Sequence, residues 1–147
     1  MSRILVAVLT LAFPLCAPAL AQTDLTPTGD AAAGEQAFRQ CQSCHVVQDA
    51  SGEVLAGRAA RTGPNLYGVV GRVAGSVEGY DYSSLMEQAG EIGTVWDEAN
   101  FVPYVQDPTA HLRAVTGEDS GRGKMAYKVR REEDAVNVYA FLAQFSD

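Results

Sequence analysis

Cys41-Gln42-Ser43-Cys44-His45 is the most informative segment of this 147-residue chain. Two thiols three residues apart, followed at once by a histidine, are the attachment signature of a c-type haem. At this spacing both thiols lie on one side of a helical turn, where they can form thioethers with the two vinyl groups along one edge of the porphyrin. The adjacent imidazole is then held under the iron as the proximal ligand. The sequence therefore predicts one covalent haem c attached through Cys41 and Cys44.

The same Cys-x-x-Cys spacing also occurs in zinc sites and in thiol redox enzymes. A structural zinc site needs four ligands. Apart from the motif, the chain after its leader has no further cysteine and offers only His111. A thioredoxin-like dithiol would follow a strand in an alternating strand and helix pattern, which the sequence lacks. The motif therefore favours haem over both alternatives.

Residues 1–21 have the pattern of a secretory leader. Arg3 is the only charged residue, an apolar run follows it, and Ala19-Leu20-Ala21 forms a small-x-small cleavage site. The apolar run is too short to span a bilayer. The pattern predicts export to the periplasm with cleavage after Ala21. Cys16 leaves open a second possibility, a lipid anchor at the amino terminus.

The remaining chain has the length of one small domain. Residues 22–29, which include Pro27, are predicted to form a flexible tail before a single domain at residues 30–147. Removing the leader loses only Arg3, so ten basic and 18 acidic residues give a formal charge of −8. An acidic balance of this size argues against nucleic acid as a partner.

Capping residues and apolar periodicity predict an all-α domain of short helices. The first helix begins at the N-cap Asp30 and leads into the haem motif. Gly34 on the apolar face of this helix would let the last helix approach closely. Residues 51–75 are predicted to be loop, and no strand is predicted. Further helices are predicted from the capping box at Ser84 to a stop at Gly90, from the N-cap Asp97 through Pro103 to Gln106, from Pro108 to a stop at Gly117, and over residues 131–145.

Four side chains compete for the iron position opposite His45. Met86 lies in a predicted helix, where methionine more often fills a core. Met125 lies in a glycine-rich irregular segment whose backbone can direct a thioether at a metal. His111 falls on the inward face of its helix, and Lys124 could bind iron only after losing its proton. The residues alone favour Met125 and leave His111 open.

Several other stretches accompany the haem motif along the chain. They are Gly34 to Phe38, the run RTGPNLYGVVGR at residues 61–72, GYDYS at 79–83, Trp96, YVQDP at 104–108, and Gly123-Lys124-Met125. These stretches occur in the order seen in the class I cytochromes c. Through them nearly all of the mature chain resembles that family, and most closely its long-type soluble bacterial cytochromes c2. The resemblance implies the class I cytochrome c fold, in which short helices wrap around one covalent haem.

The resemblance also implies roles for individual residues. Met125 matches the sixth iron ligand, and Pro64 matches the proline whose carbonyl accepts a hydrogen bond from the proximal imidazole. Tyr104 matches a tyrosine near the ligating sulfur. His111 falls where the family usually has an aromatic residue, which weighs against ligation by two histidines.

Three further matches concern the charge of the cofactor. Arg72, Tyr82 and Trp96 match residues that hold the buried inner propionate of the haem. A propionate without such partners would be costly to bury.

An iron held by histidine and methionine has no open position, so the sequence predicts a single-electron carrier and not an enzyme. By resemblance, the donor would be a cytochrome bc1 complex and the acceptor a photosynthetic reaction centre or a cytochrome oxidase. We expect a soluble periplasmic monomer that meets the membrane only through these proteins. A basic collar beside the haem edge would dock them, and its predicted members are Arg122, Lys124, Lys128, Arg130 and Arg131.

Two other functional classes remain at this point. A haem enzyme or gas-binding sensor would need a labile sixth ligand. A haem-dependent structural subunit would be found stably bound to a complex.

Overall fold

The computed structural model describes residues 23–146. The predicted leader, the alternative anchor at Cys16, Gln22 and Asp147 lie outside the described residues. No helix within residues 23–146 is both long and apolar enough to cross a bilayer. The elements in chain order are α1 (Ala31–Phe38), β1 (Val46–Gln48), β2 (Val54–Gly57), α2 (Ser84–Glu91), α3 (Glu98–Gln106), α4 (Pro108–Thr116) and α5 (Glu132–Ala143).

Helices α1 and α5 cross at Gly34, as the sequence predicted. A Cβ at this position would stand 1.9 Å from the carbonyl oxygen of Asn137, so only glycine allows the approach. Asp30 caps α1 by accepting from the backbone N–H groups of Ala32 and Ala33, and its own N–H donates to Asn137 Oδ1 at 2.8 Å. The two ends of the folded domain are thereby joined.

The N-cap of helix α2 lies one residue before the predicted cap, so that the helix begins at Ser84. Ser83, and not Ser84, has the extended backbone of an N-cap, and its hydroxyl accepts from Met86 N at 3.4 Å. The predicted stop at Gly90 is also wrong, because the helix continues to Glu91. Gly90 instead permits a close packing contact, since a Cβ there would lie 2.3 Å from the carbonyl oxygen of Ala74.

The predicted helices between residues 97 and 117 are confirmed. Asp97 caps α3 by accepting from Asn100 N at 2.8 Å, and Pro103 lies inside that helix without ending it. Asp107 caps α4, which ends at Gly117 in the left-handed conformation with φ of 74°. This glycine is needed because other residues rarely adopt such a backbone.

The prediction of no strand is wrong. β1 and β2 form an antiparallel hairpin, with Val46 opposite Gly57 and Val47 opposite Ala56. β2 lies inside the region expected to be loop, and β1 lies just before it. Strands of three and four residues are too short to show alternation in the sequence. A local turn stabilises the hairpin, because Asp49 Oδ1 accepts from the N–H groups of Ser51 and Glu53.

Residues 23–30 form no helix or strand, yet they contact the domain. Thr28 donates from its backbone and its hydroxyl to the carboxylate of Glu98, at 2.8 and 2.6 Å. The flexibility of residues 22–29 stays a prediction.

Candidate haem site

A cavity of about 540 Å³ lies between the haem motif and the segment around Met125. This volume lies within the ~300–1,000 Å³ typical of ligand pockets. The helices contribute its apolar floor, including Phe101, Val138 and Leu142. Every residue that the sequence analysis assigned to iron or haem lines this one cavity: Cys41, Cys44, His45, Pro64, Arg72, Tyr82, Trp96, Tyr104 and Met125.

Cys41 and Cys44 lie in the turn that follows α1. Cys41 N donates to Phe38 O at 2.8 Å, and Cys44 N donates to Cys41 O at 3.1 Å, so helical turns continue through the motif. Both thiols are free and half-buried. Burial, with a smaller effect of Cys44, raises the pKa of Cys41 to about 11. Both cysteines line the cavity wall at which thioethers to a haem would form.

His45 presents one defined nitrogen for coordination. Its Nδ1 lies 2.9 Å from the carbonyl oxygen of Pro64, and because a carbonyl can only accept, Nδ1 carries the hydrogen. The lone pair therefore remains on Nε2. Burial lowers the pKa of His45 against the opposing effect of the Pro64 bond, which favours the neutral imidazole that iron requires.

Gly63 packs against the His45 ring, a role that the sequence analysis missed. A Cβ on Gly63 would stand 2.3 Å from His45 Cε1. Gly63 N also donates to Cys44 O at 2.7 Å, which fixes the loop beside the haem motif. The position of this glycine directly before Pro64 was the feature of the sequence that could have indicated its role.

The Arg72 side chain brings a positive charge to the cavity wall. Its guanidinium donates to the carbonyl oxygens of Tyr67 and Asn65 at 2.8 and 3.0 Å. No carboxylate among residues 23–146 lies within 4.0 Å of it. Burial lowers the pKa of Arg72, but arginine stays charged in proteins. An uncompensated cation on an apolar wall fits a ligand that carries a carboxylate, as haem does.

Aromatic side chains complete this wall. Trp96 is buried, its ring lies 4.7 Å from that of Tyr104, and its indole N–H has no partner among residues 23–146. Tyr82 packs on Tyr80 at 4.7 Å. Burial raises the pKa of both Tyr82 and Tyr104, so their hydroxyls stay protonated and can donate. The donor set therefore fits an apolar macrocycle with an acidic edge.

Of the four side chains considered for the sixth position, three line the cavity. Met125 is half-buried against the core, Met86 is buried in α2, and Lys124 donates to the backbone and carboxylate oxygens of Asp81 at 2.6 and 2.5 Å. His111 is not part of the lining. Its ring lies behind Tyr104, 6.2 Å away and edge-on. Of these three candidates, Met86 lies in a helix and Lys124 is held in an ion pair. Met125 alone has an irregular backbone and a side chain without an ion pair, so it is the best candidate for the sixth ligand.

The predicted basic collar divides into two groups. Lys124, Lys128 and Arg131 form ion pairs with Asp81, with Asp107 at 2.5 Å, and with Glu133 and Asp134. Arg122 and Arg130 are exposed and form no ion pair within the described part of the chain. The charge available to a partner is therefore smaller than the sequence suggested.

No family model matches the chain. The chain is 61% identical over 116 residues to a cytochrome c2 of Rhodovulum adriaticum, covering 79% of this chain and 92% of that protein. It is 52% identical over 128 residues to a cytochrome c2 of Cereibacter sphaeroides, covering 86% and 85%. The crystal structure of cytochrome c2 from Rhodobacter sphaeroides superimposes with a TM-score of 0.78 at 52% identity, covering 80% of this chain and 97% of that one.

Proposed function

The chain belongs to the cytochrome c2 family, and from this premise we propose that it carries electrons in the periplasm from a cytochrome bc1 complex to a photosynthetic reaction centre or a cytochrome oxidase. Its general role as an electron carrier and its single covalent haem c follow from the family. The donor, the acceptor, the compartment and the roles of individual residues are the proposal.

When bound, the haem supplies an iron that alternates between Fe(II) and Fe(III). Cys41 and Cys44 would hold it covalently, and His45 and Met125 would supply the two protein ligands of the iron. The observation that carries this assignment is that both side chains line one cavity, with the Pro64 carbonyl leaving His45 Nε2 as the free nitrogen. Arg72, Tyr82 and Trp96 would hold the inner propionate.

Two protein ligands leave no position for a substrate or a gas. This closure supports a carrier over the alternative of a haem enzyme or a gas-binding sensor. Thioether ligation and the apolar walls both favour the ferrous state and raise the potential, as suits a carrier that accepts electrons from bc1.

Replacing Met125 by Ala tests the proposed ligation. We expect the variant to lose the far-red sulfur-to-ferric-iron absorption and to bind carbon monoxide when reduced, while the parent shows that absorption and excludes carbon monoxide. Met86→Leu is the matched control, because it removes the other methionine of the described chain at nearly constant volume. Retained absorption in Met125→Ala, or rapid carbon monoxide binding by the parent, would contradict the carrier function.

The proposed compartment is tested by fractionation. We expect release with the periplasmic fraction without detergent, and a mature chain that begins at Gln22. A mature chain that begins with acylated Cys16 and needs detergent for release would contradict the cleavage after Ala21.

A further inference from the structure

We propose that Arg113 and Thr109 of α4 are positioning residues that hold Met125 at the iron and thereby limit the access of other ligands to the sixth position. This inference rests on the ligand role proposed for Met125. It concerns the stretch from residue 121 to residue 129, which we call the Met125 segment.

The Met125 segment is held by few backbone contacts. It contains no helix or strand. Within the described chain, its one backbone-to-backbone hydrogen bond joins Val129 N to Val105 O at 2.8 Å, four residues after Met125. Most of its residues are exposed. Segments of this kind open locally at a fraction of the cost of global unfolding. The position of Met125 therefore depends on side chains supplied by other elements.

Arg113 supplies the first of these contacts. Its Nε and Nη2 donate to the carbonyl oxygen of Gly121 at 3.1 and 2.6 Å. Hydrogen bonds from a guanidinium are charge-assisted, and the planar fork makes them directional. On its other side Gly121 packs on α2, where a Cβ would lie 3.2 Å from Leu85 Cγ. The start of the segment is thus held between two helices.

Thr109 supplies the second contact, nearer to the ligand. Its Oγ1 accepts from Gly123 N at 3.2 Å, two residues before Met125. Leu112 packs on the same glycine, where a Cβ would lie 3.2 Å from Leu112 Cδ1. Thr109 and Arg113 are four residues apart and so lie on one face of α4. Together they align the backbone before Met125 along this helix.

The other polar contacts of the segment are made by its side chains. Lys124 donates to the backbone oxygen of Asp81 at 2.6 Å as well as to its carboxylate, and the Tyr127 hydroxyl donates to Gln40 Oε1. The ion pairs from Lys124 to Asp81 and from Lys128 to Asp107 join side chains that are about half exposed or more. Exposed pairs of this kind contribute little because water and salt screen them. On the amino-terminal side of Met125, the contacts to α4 are the ones that hold backbone atoms of the segment, namely the Gly121 carbonyl oxygen and the Gly123 N–H.

Imidazole binding to the ferric holoprotein tests this restraint. We expect Arg113→Gln and Thr109→Val each to speed imidazole binding by about tenfold, which corresponds to ~1.4 kcal/mol in the opening of the segment. The far-red absorption should remain at neutral pH, and the urea midpoint of global unfolding should change much less. Stopped-flow spectroscopy measures the first effect and equilibrium titration the second.

Three control variants separate positioning from charge and volume. Arg58→Gln removes the same charge from an exposed arginine whose side chain has no hydrogen bond among residues 23–146, and it should behave as the parent. Thr109→Ser keeps the hydroxyl and should restore the parent rate. Arg113→Lys keeps the charge but loses the fork, and its rate should fall between those of the parent and Arg113→Gln.

Suppose that the parent shows the far-red absorption but that Arg113→Gln and Thr109→Val both bind imidazole at the parent rate. This inference would then be overturned, while the ligand role of Met125 would stand. The same holds if faster binding is matched by an equal loss of global stability, since the two residues would then act only on the fold. Absence of the far-red absorption from the parent would overturn the ligand role of Met125 and this inference with it.

Discussion

Gly63 is the residue whose missing side chain matters most to His45. The imidazole ring occupies the space where a Cβ would stand, 2.3 Å from Cε1. Gly63→Ala must therefore displace the ring and weaken its bond to Pro64. We expect the free energy of unfolding to fall by ~1–3 kcal/mol, as for other overpacked sites, and the reduction potential to shift. Urea titration and potentiometry of the holoprotein measure both quantities.

Arg61→Ala is a suitable control, because Arg61 is exposed and lies two residues from Gly63. It should leave the free energy of unfolding nearly unchanged. A Gly63→Ala protein with the stability and potential of the parent would contradict the role assigned to this glycine.

At the scale of elements, Asp107 joins α3 to α4 and holds Lys128. It caps α4 through Ala110 N and accepts from Lys128 Nζ at 2.5 Å. These bonds, Lys128 first, hold the pKa of Asp107 below its ordinary value of 3.8. A lowered pKa means that the stabilisation is complete above 3.8 and is lost as the pH falls through the lower, folded value.

Asp107→Asn removes the charge while keeping a residue that can cap a helix. We expect the variant to be less stable than the parent at pH 7, and the difference to vanish well below 3.8. Urea unfolding at a series of pH values measures it. Asp119→Asn, at an exposed position without a hydrogen bond in the described chain, should show no such difference. If the variant remained less stable than the parent in acid, the difference in stability could not come from the ion pair of Asp107 with Lys128.

Local signals predicted most of the helices, because caps such as Asp30, Asp97 and Asp107 act within a few residues of the chain. They failed where two candidates adjoin, as at Ser83 and Ser84, since only the folded backbone distinguishes them. The hairpin was missed because it depends on a side-chain turn at Asp49. The anchors of the Met125 segment join residues that are distant along the chain, and no periodicity reveals them.

At the scale of the whole molecule, the ion pairs redistribute the charge of the basic collar. Lys128 is neutralised by Asp107, whereas Arg122 and Arg130 are exposed without an ion pair in the described residues. We therefore expect Arg122→Gln and Arg130→Gln to slow reduction by a purified bc1 complex more than Lys128→Gln does. The differences should fade as salt shortens the Debye length from ~30 Å at 0.01 M to ~3 Å at 1 M.

Second-order rate constants across a salt series measure these effects. Equal slowing by all three variants, or rates that do not respond to salt, would contradict docking through the unpaired arginines. Asp119→Asn, which removes an exposed charge of the opposite sign, should not slow the reaction.

The crossing of α1 and α5 has a consequence for biogenesis. Val138 and Leu142 of α5 form part of the cavity floor, so the cavity is complete only once the last helix has docked. In a chain that crosses a membrane from its amino terminus, Cys41 and Cys44 emerge well before that helix. Haem attached before α5 docks would therefore meet both thiols on an open polypeptide, and docking of the carboxyl-terminal helix would then enclose the conjugate.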